Sequence, residues 1–374
     1  MSTIQHEAAQ VPGTQGALRL EGIDHVEMYV GNAYQAAHFY RVLFGFRPVA
    51  RAGLETGMRD RQSIVMEQGD IRLVLTSGLS PDSAISQQAM LHGDGVKDVA
   101  FAVENVEDVF ETAVRRGAIP LAEPTAREDA HGTLVRATIG APGDTVHSFV
   151  ERRGYTGAFS PGYEPIIDAP PATPMGLVEV DHVAVSMEQG DLDRWVEFYK
   201  NVLGFHQSHH EMVWTKNSAM NSKVVEDASG KVRFPCQEPA ANSGKSQVQE
   251  YLNFNRGAGA QHVAFLTEDI RHSVRAVRDA GVRFLRVPGT YYDALEARVG
   301  PMDPATMAAC RELGILVDSD DDGRLLQIFS EPVGARPTMF VELIERQGAR
   351  GFGSGNIKAL FEAVEREQER RGNI

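Results

Sequence analysis

Two stretches of the chain share the same order of apolar and polar positions. IDHVEMYVGNAYQAAHFYRVLFGF (Ile23–Phe46) and VDHVAVSMEQGDLDRWVEFYKNVLGF (Val180–Phe205) each begin with the apolar alternation of a strand and continue through a polar turn. Both then place apolar residues three and four positions apart and end at a glycine flanked by an aromatic residue, which predicts a helix and its end. The chain therefore repeats a strand–helix unit.

A second pair of similar segments follows the first. Gly95–Pro124 and Gly259–Pro288 both predict a strand, a helix, a glycine stop and a further strand, and a weaker third match relates VHSFVERRG to VELIERQG. Because the units occur in the same order in both halves, the repeat indicates a duplicated fold. The predicted fold class is α+β, in which each half forms a curved mixed sheet with helices outside and a cavity inside.

Proline and glycine content suggests where the two halves are separated. Residues 154–176 contain five prolines and are typical of a linker. We therefore expect an N-terminal domain over residues 20–153 and a C-terminal domain over residues 177–374, preceded by a disordered tail over residues 1–19. The stretch GFGSGNIKAL leads into an apolar helical pattern over residues 355–371. We predict that this helix covers the mouth of the C-terminal cavity as a lid.

Composition and charge narrow the classes of function. The formal net charge of -14 argues against a nucleic-acid partner, whose phosphates require clustered Lys and Arg. No apolar run is long enough to span a membrane, and the N-terminus lacks a signal pattern, so a cytoplasmic location is expected. The two cysteines, Cys236 and Cys310, make a disulfide framework or a thiolate metal site improbable. Any bound metal should therefore be held by His, Asp and Glu.

Three residues in the C-terminal half form a candidate metal site. His182 in DHVAV, His262 in QHVAF and Glu342 in FVELI each lie in a predicted strand. Two imidazoles and one carboxylate form the set that non-haem Fe(II) enzymes use, which leaves three positions for O2 and a chelating substrate. A single strand histidine is more commonly a structural residue. However, a carboxylate in a strand as apolar as that of Glu342 is costly unless it is paired or bound to metal.

The equivalent positions in the N-terminal half are His25, Asp98 and Ser148. This set lacks the second imidazole and the matching carboxylate, so no iron is expected there. The run HQSHH, which follows the helix-ending Gly204, could suggest a second metal site. We expect its histidines to lie in a solvated turn instead.

Several motifs in the chain together resemble one enzyme family. They are DHVAV, NSKVV, KSQVQEYL, GAGAQHVAF, PGTYYD, LLQIFSEPVGARPTMFVELIER and GFGSGNIKALFEAVEREQERRGN. In this order they resemble the 4-hydroxyphenylpyruvate dioxygenase family, which also includes 4-hydroxymandelate synthase. The resemblance extends from about residue 20 to the C-terminus. It implies a vicinal oxygen chelate fold of βαβββ modules, with Fe(II) bound in the C-terminal half only.

The resemblance also implies roles for individual residues. His182, His262 and Glu342 would be the iron ligands. Phe329 would stack on the substrate ring, and Gln261 next to the second histidine would be part of the reacting site. The residues expected to contact the substrate are Ser222, Gln237, Gln247, Gln261, Gln327, Phe329, Phe352 and Ile357. Gln237 departs from the family pattern, since FPCQEP replaces FPINEP and lengthens the amide side chain by one methylene.

The implied reaction is oxidative decarboxylation of 4-hydroxyphenylpyruvate by O2. The keto acid of the substrate supplies the electrons, so no 2-oxoglutarate is needed. The partner is therefore a small aromatic α-keto acid, and a homo-oligomer, dimer or tetramer, is expected by analogy. An iron-free binding protein on the same fold is a remote alternative, because it would require the loss of a ligand.

Two products are compatible with this family. Homogentisate-forming members typically read GFGKGNF, whereas this chain reads GFGSGNI, with Ile357 in place of a ring. The smaller side chain removes a stacking partner and favours hydroxylation of the benzylic carbon to 4-hydroxymandelate. Pro235 and the tail EREQERRGNI resemble the homogentisate-forming enzymes instead. Ile357 is also compatible with a neutral exchange on a buried helix face.

Overall fold

Two mixed sheets, one in each half of the chain, form the framework of the molecule. The computed structural model describes residues 16–214, 219–240 and 246–372. In this part of the chain, the N-terminal sheet has nine strands and the C-terminal sheet has eight. Each sheet is mixed and has helices packed against it, which confirms the predicted α+β fold with duplicated modules.

The N-terminal sheet has the strand order β6-β7-β8-β5-β1-β4-β3-β2-β9. Its strands are β1 Leu20–Tyr29, β2 Arg47–Ala52, β3 Arg61–Gln68, β4 Ile71–Gly78, β5 Gly95–Val103, β6 Pro120–Asp129, β7 Gly132–Gly140, β8 Val146–Glu151 and β9 Glu164–Pro165. The helices of this half are α1 Ala33–Phe44, α2 Ala84–His92 and α3 Val106–Arg115, with a 3-10 turn at Leu54–Thr56.

The C-terminal sheet has the strand order β11-β12-β13-β10-β14-β17-β16-β15. Its strands are β10 Leu177–Ser186, β11 His206–Trp214, β12 Ala219–Glu226, β13 Arg233–Pro239, β14 Gly259–Thr267, β15 Leu316–Ser319, β16 Arg324–Phe329 and β17 Phe340–Gln347. The helices are α4 Leu192–Phe198, continued by a π-helical turn at Tyr199–Leu203, α5 Gln247–Asn255, α6 Ile270–Asp279, α7 Gly289–Asp293, α8 Leu295–Val299, α9 Pro304–Leu313 and α10 Ser354–Arg371.

Strand pairing repeats between the two halves. The first strand of each half pairs in antiparallel fashion with the strand of the second unit, β1 with β5 and β10 with β14. The parallel pairs β1–β4 and β5–β8 correspond to β10–β13 and β14–β17. The matching helices end as the sequence predicted, since Gly45 and Gly204 both adopt a left-handed conformation, with φ of 75° and 76°. The duplication seen in the sequence is therefore a duplication of topology.

Aromatic packing joins the two halves. The ring of Tyr199 stacks on Phe234 with centroids 5.1 Å apart, and the edge of Phe101 from the N-terminal sheet approaches Phe234 at 6.2 Å. The hydroxyl of Tyr199 lies 3.0 Å from Nε2 of the buried His147. Since these residues belong to both halves, one apolar core extends across them.

Residues near the predicted domain limits make contacts with both halves of the chain. Residues 1–15 of the expected tail lie outside the described residues, and Leu18 donates its backbone N–H to the carbonyl of Leu203 at 3.1 Å. Within the expected linker, β9 pairs with β2, and the backbone N–H of Met175 donates to Gln68 Oε1 at 2.6 Å. The helix predicted over residues 355–371 is α10, and its role as a lid stays a prediction. No helix in the described ranges is long and apolar enough to cross a membrane.

Candidate metal centre and its cavity

His182, His262 and Glu342 meet on three neighbouring strands of the C-terminal sheet. They belong to β10, β14 and β17, and the pairing places Ala264 opposite both His182 and Glu342. Oε2 of Glu342 lies 3.1 Å from Nε2 of His182 and 3.4 Å from Nε2 of His262. All three side chains are buried, and their ligand atoms lie within 4.8 Å of one another. The structure thus brings the three predicted ligands together.

Each histidine is oriented by a hydrogen bond from its other ring nitrogen. Nδ1 of His182 donates to Asp181 Oδ1 at 2.7 Å, and Nδ1 of His262 donates to Gln261 Oε1 at 3.2 Å. Both Nε2 atoms therefore point toward Glu342. Such partners hold the ring of a metal-binding histidine in one orientation and tautomer.

Asp181 is in turn held by arginine. Arg346 donates two hydrogen bonds to its carboxylate, at 2.6 and 2.8 Å, and Arg233 donates a third at 3.2 Å. Burial opposes ionisation of Asp181, but the hydrogen bonds and charge of Arg346 keep its pKa well below the ordinary value. The carboxylate behind His182 is therefore ionised.

The neighbouring groups of the centre keep Glu342 ionised. Burial opposes ionisation of Glu342, yet the neighbouring His182 and His262 lower its pKa to about 2. Burial also disfavours a charged His182, but Glu342 and Asp181 outweigh it and raise the pKa of His182. Burial lowers the pKa of His262. Two imidazoles and one ionised carboxylate on adjacent strands fit a metal ion, and this donor set is the one that suits non-haem Fe(II).

The side chains expected to contact the substrate line one cavity with the three ligands. These residues are Ser222, Gln237, Gln247, Gln261, Gln327, Phe329, Phe352 and Ile357. All of them are buried except Ile357, which is half-buried. Their distribution over several strands, the start of α5 and helix α10 shows that the cavity is assembled from distant parts of the C-terminal half.

Two of the glutamines are hydrogen-bonded to each other behind His262. Nε2 of Gln237 donates to Oε1 of Gln261 at 2.5 Å and to Oγ of Ser186 at 3.0 Å. Oε1 of Gln261 also accepts from His262. The longer arm of Gln237 thus reaches the amide that orients a candidate ligand.

Gln327 connects helix α10 to Glu342. Its Nε2 donates to Glu342 Oε1 at 2.8 Å, and its Oε1 accepts from Asn356 Nδ2, on α10, at 2.9 Å. The hydroxyl of Tyr291 donates to Oδ1 of Asn356 at 2.8 Å, so both ends of this amide are hydrogen-bonded.

Gly353 precedes helix α10 with φ of 73°, and a Cβ there would lie 2.7 Å from Oε1 of Gln327. The left-handed backbone conformation therefore favours glycine, and a larger residue would also displace the amide of Gln327.

Aromatic rings flank the centre. Phe352 meets His182 edge-on with centroids 5.2 Å apart, and Phe329 meets His262 edge-on at 6.2 Å. Ile357 packs against an apolar cluster that includes Met220 and Leu252. The cavity beside the ligands therefore offers flat apolar surfaces, which suit an aromatic ring.

The chain is similar to known proteins along most of its length. The profile of the Glyoxalase/Bleomycin resistance protein/Dioxygenase superfamily matches residues 22–144 and 179–306. A 4-hydroxyphenylpyruvate dioxygenase of Yarrowia lipolytica is 40% identical over 370 residues, covering 94% of this chain and 93% of the relative. One from Dictyostelium discoideum is 42% identical over 367 residues, covering 95% and 100%. The chain belongs to the 4-hydroxyphenylpyruvate dioxygenase family.

A solved structure agrees with this assignment. A triple mutant of 4-hydroxymandelate synthase from Streptomyces coelicolor superposes with a TM-score of 0.86 at 37% identity, covering 93% of this chain and 99% of that one. The family predicted from the motifs is confirmed, and so is the prediction that the chain is an enzyme of the dioxygenase class. Both kinds of relative match along almost the whole chain, so the duplicated halves belong to the family together.

The structure corrects the interpretation of HQSHH in this family member. The run is part of β11 rather than a solvated turn. His209 and Glu211, two residues apart on one face of the strand, line the cavity with the candidate ligands. All five residues at positions 207–211 are polar, so the sequence there lacked the alternation of apolar and polar residues that indicates a strand.

The N-terminal half of this family member keeps part of the same architecture. Asp24 accepts from Nδ1 of His25 at 2.6 Å and from Arg152 at 2.6 and 2.9 Å, as Asp181 does from His182 and Arg346. The ligand atoms of His25, Glu27 and Asp98 lie within 4.8 Å of one another. Glu27 was missed in the sequence, although it follows His25 by two positions on the same strand.

An arginine supplies the positive charge in this half. Arg136 donates to Asp98 at 2.7 Å, and its guanidinium lies 3.7 Å from the carboxylate of Glu27. Ser148, the expected counterpart of Glu342, donates its hydroxyl to Asp98 at 2.6 Å. A single guanidinium of the chain itself therefore lies against both carboxylates.

Replacing Arg136 with methionine is expected to destabilise the N-terminal half. Two buried carboxylates would lose their cation, and such a loss costs roughly 2–4 kcal/mol when one partner is partly exposed. The midpoint of thermal unfolding, followed by circular dichroism, should fall by roughly 3–5 °C, because the two halves share one core. Arg127→Met on the exposed strand β6 is the control and should leave the midpoint nearly unchanged. An equal midpoint for Arg136→Met and the wild type would contradict the role assigned to this arginine.

Proposed function

We propose that the chain is an Fe(II)-dependent enzyme that converts 4-hydroxyphenylpyruvate and O2 into 4-hydroxymandelate and CO2. The observation that carries the proposal is the buried set of His182, His262 and Glu342 in a cavity with aromatic walls. The names of the sequence relatives and of the structural neighbour support the substrate, because both activities belong to this family.

The candidate ligands are His182, His262 and Glu342, and Fe(II) bound there would hold the keto acid and O2 next to each other. Because the substrate carries its own α-keto acid, no 2-oxoglutarate is required. The remaining work belongs to the protein, which has to place the ring and exclude water.

Phe329 and Phe352 are suited to holding the ring of the substrate. Both are buried, line the cavity and lie edge-on to the candidate histidine ligands. Helix α10 closes the cavity with Ile357 and Leu360 and is tied to Glu342 through Asn356 and Gln327. Closure of the lid and orientation of the metal ligand are therefore coupled through one glutamine.

The choice of 4-hydroxymandelate rests on Ile357. This side chain faces the cavity from the lid, where homogentisate-forming members typically carry a phenylalanine. A branched aliphatic chain leaves the substrate ring without a stacking partner on that side. The ring can then turn and present its benzylic carbon for hydroxylation.

Homogentisate is the second candidate product. The relatives at 40–42% identity are named 4-hydroxyphenylpyruvate dioxygenase, and they favour this alternative. Pro235, which matches the sequence pattern of the homogentisate-forming enzymes, also lines the cavity. A homogentisate product would indicate a role in tyrosine catabolism.

Product analysis separates the candidates. The protein is reconstituted with Fe(II) under anaerobic conditions, mixed with 4-hydroxyphenylpyruvate and O2, and the products are compared by chromatography with authentic standards. We expect one O2 consumed for each 4-hydroxymandelate formed. Homogentisate alone would overturn the product assignment, and absence of Fe(II)-dependent O2 uptake would favour an iron-free binding protein. A homo-oligomeric state and a cytoplasmic location stay predictions.

A further inference from the structure

Strand β11 brings two charged side chains into the cavity. It is the edge strand of the C-terminal sheet, three strands away from β10 and His182. The pairing places Glu211 opposite Ser222, which in turn is opposite Gln237. Glu211 therefore continues a row that already contains two expected substrate contacts. His209 points to the same face two positions earlier, and both side chains line the cavity.

The facing atoms of this pair have no hydrogen-bond partner in the described part of the chain. Nε2 of His209 and Oε2 of Glu211 are both buried and unpaired, and they lie 3.9 Å apart. This distance is too long for a direct N–H···O hydrogen bond. Buried polar atoms are almost always satisfied, because leaving them without a partner costs free energy. A polar group from a ligand would satisfy both atoms.

The distance between Nε2 of His209 and Oε2 of Glu211 leaves room for one hydroxyl group that bonds to both. An oxygen about 2.8 Å from each atom fits across a gap of 3.9 Å. Such a hydroxyl would donate its proton to Glu211 and accept from the N–H of His209. The interaction with Glu211 raises the pKa of His209 above its ordinary value, which favours the donating form of this ring.

The surroundings indicate which hydroxyl this is. The lining near β11 includes the apolar side chains of Met220 and Val224 on β12 and of Ile357, whereas the candidate metal ligands lie on the central strands. A ligand that fills the cavity would have its chelating group at the metal and an apolar body in between. Its hydroxyl would then be at the end opposite the chelating group.

We propose that His209 and Glu211 bind the ring hydroxyl of the aromatic keto acid and select phenolic substrates over their unsubstituted analogues. This inference rests on the proposed function for the identity of the substrate, but it does not depend on which product is formed. Sites built to bind a hydroxyl reject analogues that lack it, because the polar groups of the site would then stay unpaired.

The test compares 4-hydroxyphenylpyruvate with phenylpyruvate, which differs only by the hydroxyl. Glu211→Gln and His209→Leu are each assayed for O2 uptake with the Fe(II)-loaded full-length protein. We expect kcat/KM for 4-hydroxyphenylpyruvate to fall by roughly 10–100-fold, mainly through KM, since a hydrogen bond to a charged group is lost. For phenylpyruvate, kcat/KM should change by less than about threefold.

His210→Leu is the matched control. His210 is on the same strand but exposed on the other face, where its Nε2 lies 3.0 Å from Oδ1 of Asn221. This variant should retain the wild-type preference for the phenol. Thermal unfolding of all variants by circular dichroism checks that each is folded at the assay temperature.

Each outcome bears on the inference. Equal losses for both substrates, or no loss for either, would overturn it. If the wild type turns over neither substrate, the proposed function fails, and anaerobic calorimetry still decides the inference. In that case the wild type should bind 4-hydroxyphenylpyruvate at least about tenfold more tightly than phenylpyruvate, and Glu211→Gln should remove the difference. Equal affinities in the wild type would overturn the assignment of this pair.

Discussion

Glu342→Gln is expected to abolish Fe(II)-dependent O2 uptake while leaving the fold intact. Glutamine has the same shape, but it removes the ionised carboxylate that lies 3.1 and 3.4 Å from the two imidazoles. Loss of an outer partner of a metal ligand already costs 10–100-fold in affinity or activity, so loss of the ligand itself should cost at least roughly 100-fold. Uptake is measured with an oxygen electrode, and affinity by metal titration.

A carboxylate outside the cavity on the same strand provides the control. Glu345 accepts from the backbone N–H of Ile270 at 2.8 Å, and Glu345→Gln should keep full uptake. Thermal unfolding adds a readout that does not depend on turnover. Added Fe(II) should raise the unfolding midpoint of the wild type and of Glu345→Gln, but not of Glu342→Gln. Full uptake by Glu342→Gln would remove this residue from the ligand set.

Ile357→Phe is expected to divert the product toward homogentisate. The new ring would face the cavity from the lid and restrict rotation of the substrate, in the way that an offset-stacked partner does. We expect the ratio of homogentisate to 4-hydroxymandelate to rise by at least about tenfold, which corresponds to about 1.4 kcal/mol between the two barriers. The ratio is measured by chromatography at matched substrate consumption.

Ile357→Leu controls for changes in packing. Ile357 contacts a cluster that includes Val213 and Tyr251, and enlarging it costs some stability, whereas leucine conserves its volume. The leucine variant should keep the wild-type product ratio. An unchanged ratio in Ile357→Phe, with O2 uptake preserved, would show that this position does not steer the reaction.

Much of the fold and the metal centre could be predicted because the informative signals are local. Alternation along β1 and β10, the helical spacing of α1 and α4 and the glycines that end these helices all lie within short segments. Repetition then showed that His182 and His262 occupy matching strand positions. Glu342 was visible because a carboxylate is unusual between residues as apolar as its neighbours.

Residues whose roles depend on several strands were harder to predict. Glu27 and Arg136 meet Asp98 across the N-terminal sheet, and nothing in their immediate sequence indicates an ion pair. His209 and Glu211 enter the cavity only because β11 pairs with β12 in one register; a shift by one residue would turn them away. Alternation along a strand predicts which face of the sheet a side chain lies on. It does not predict which side chains of other strands lie beside it.

Helix α10 also combines features that the sequence revealed with features that only the structure revealed. The glycine-rich stretch before α10 and the isoleucine within it were evident in the amino-acid order. The link from Asn356 through Gln327 to Glu342 was not, because it joins side chains 15 and 29 residues apart on a helix and two strands, and no local pattern shows that they meet. By itself the sequence determined the repeated modules, the candidate ligands and the family. Tertiary structure alone decided which polar groups share the cavity, since hydrogen bonds and ion pairs depend on distances of a few ångströms that only the packed sheets set.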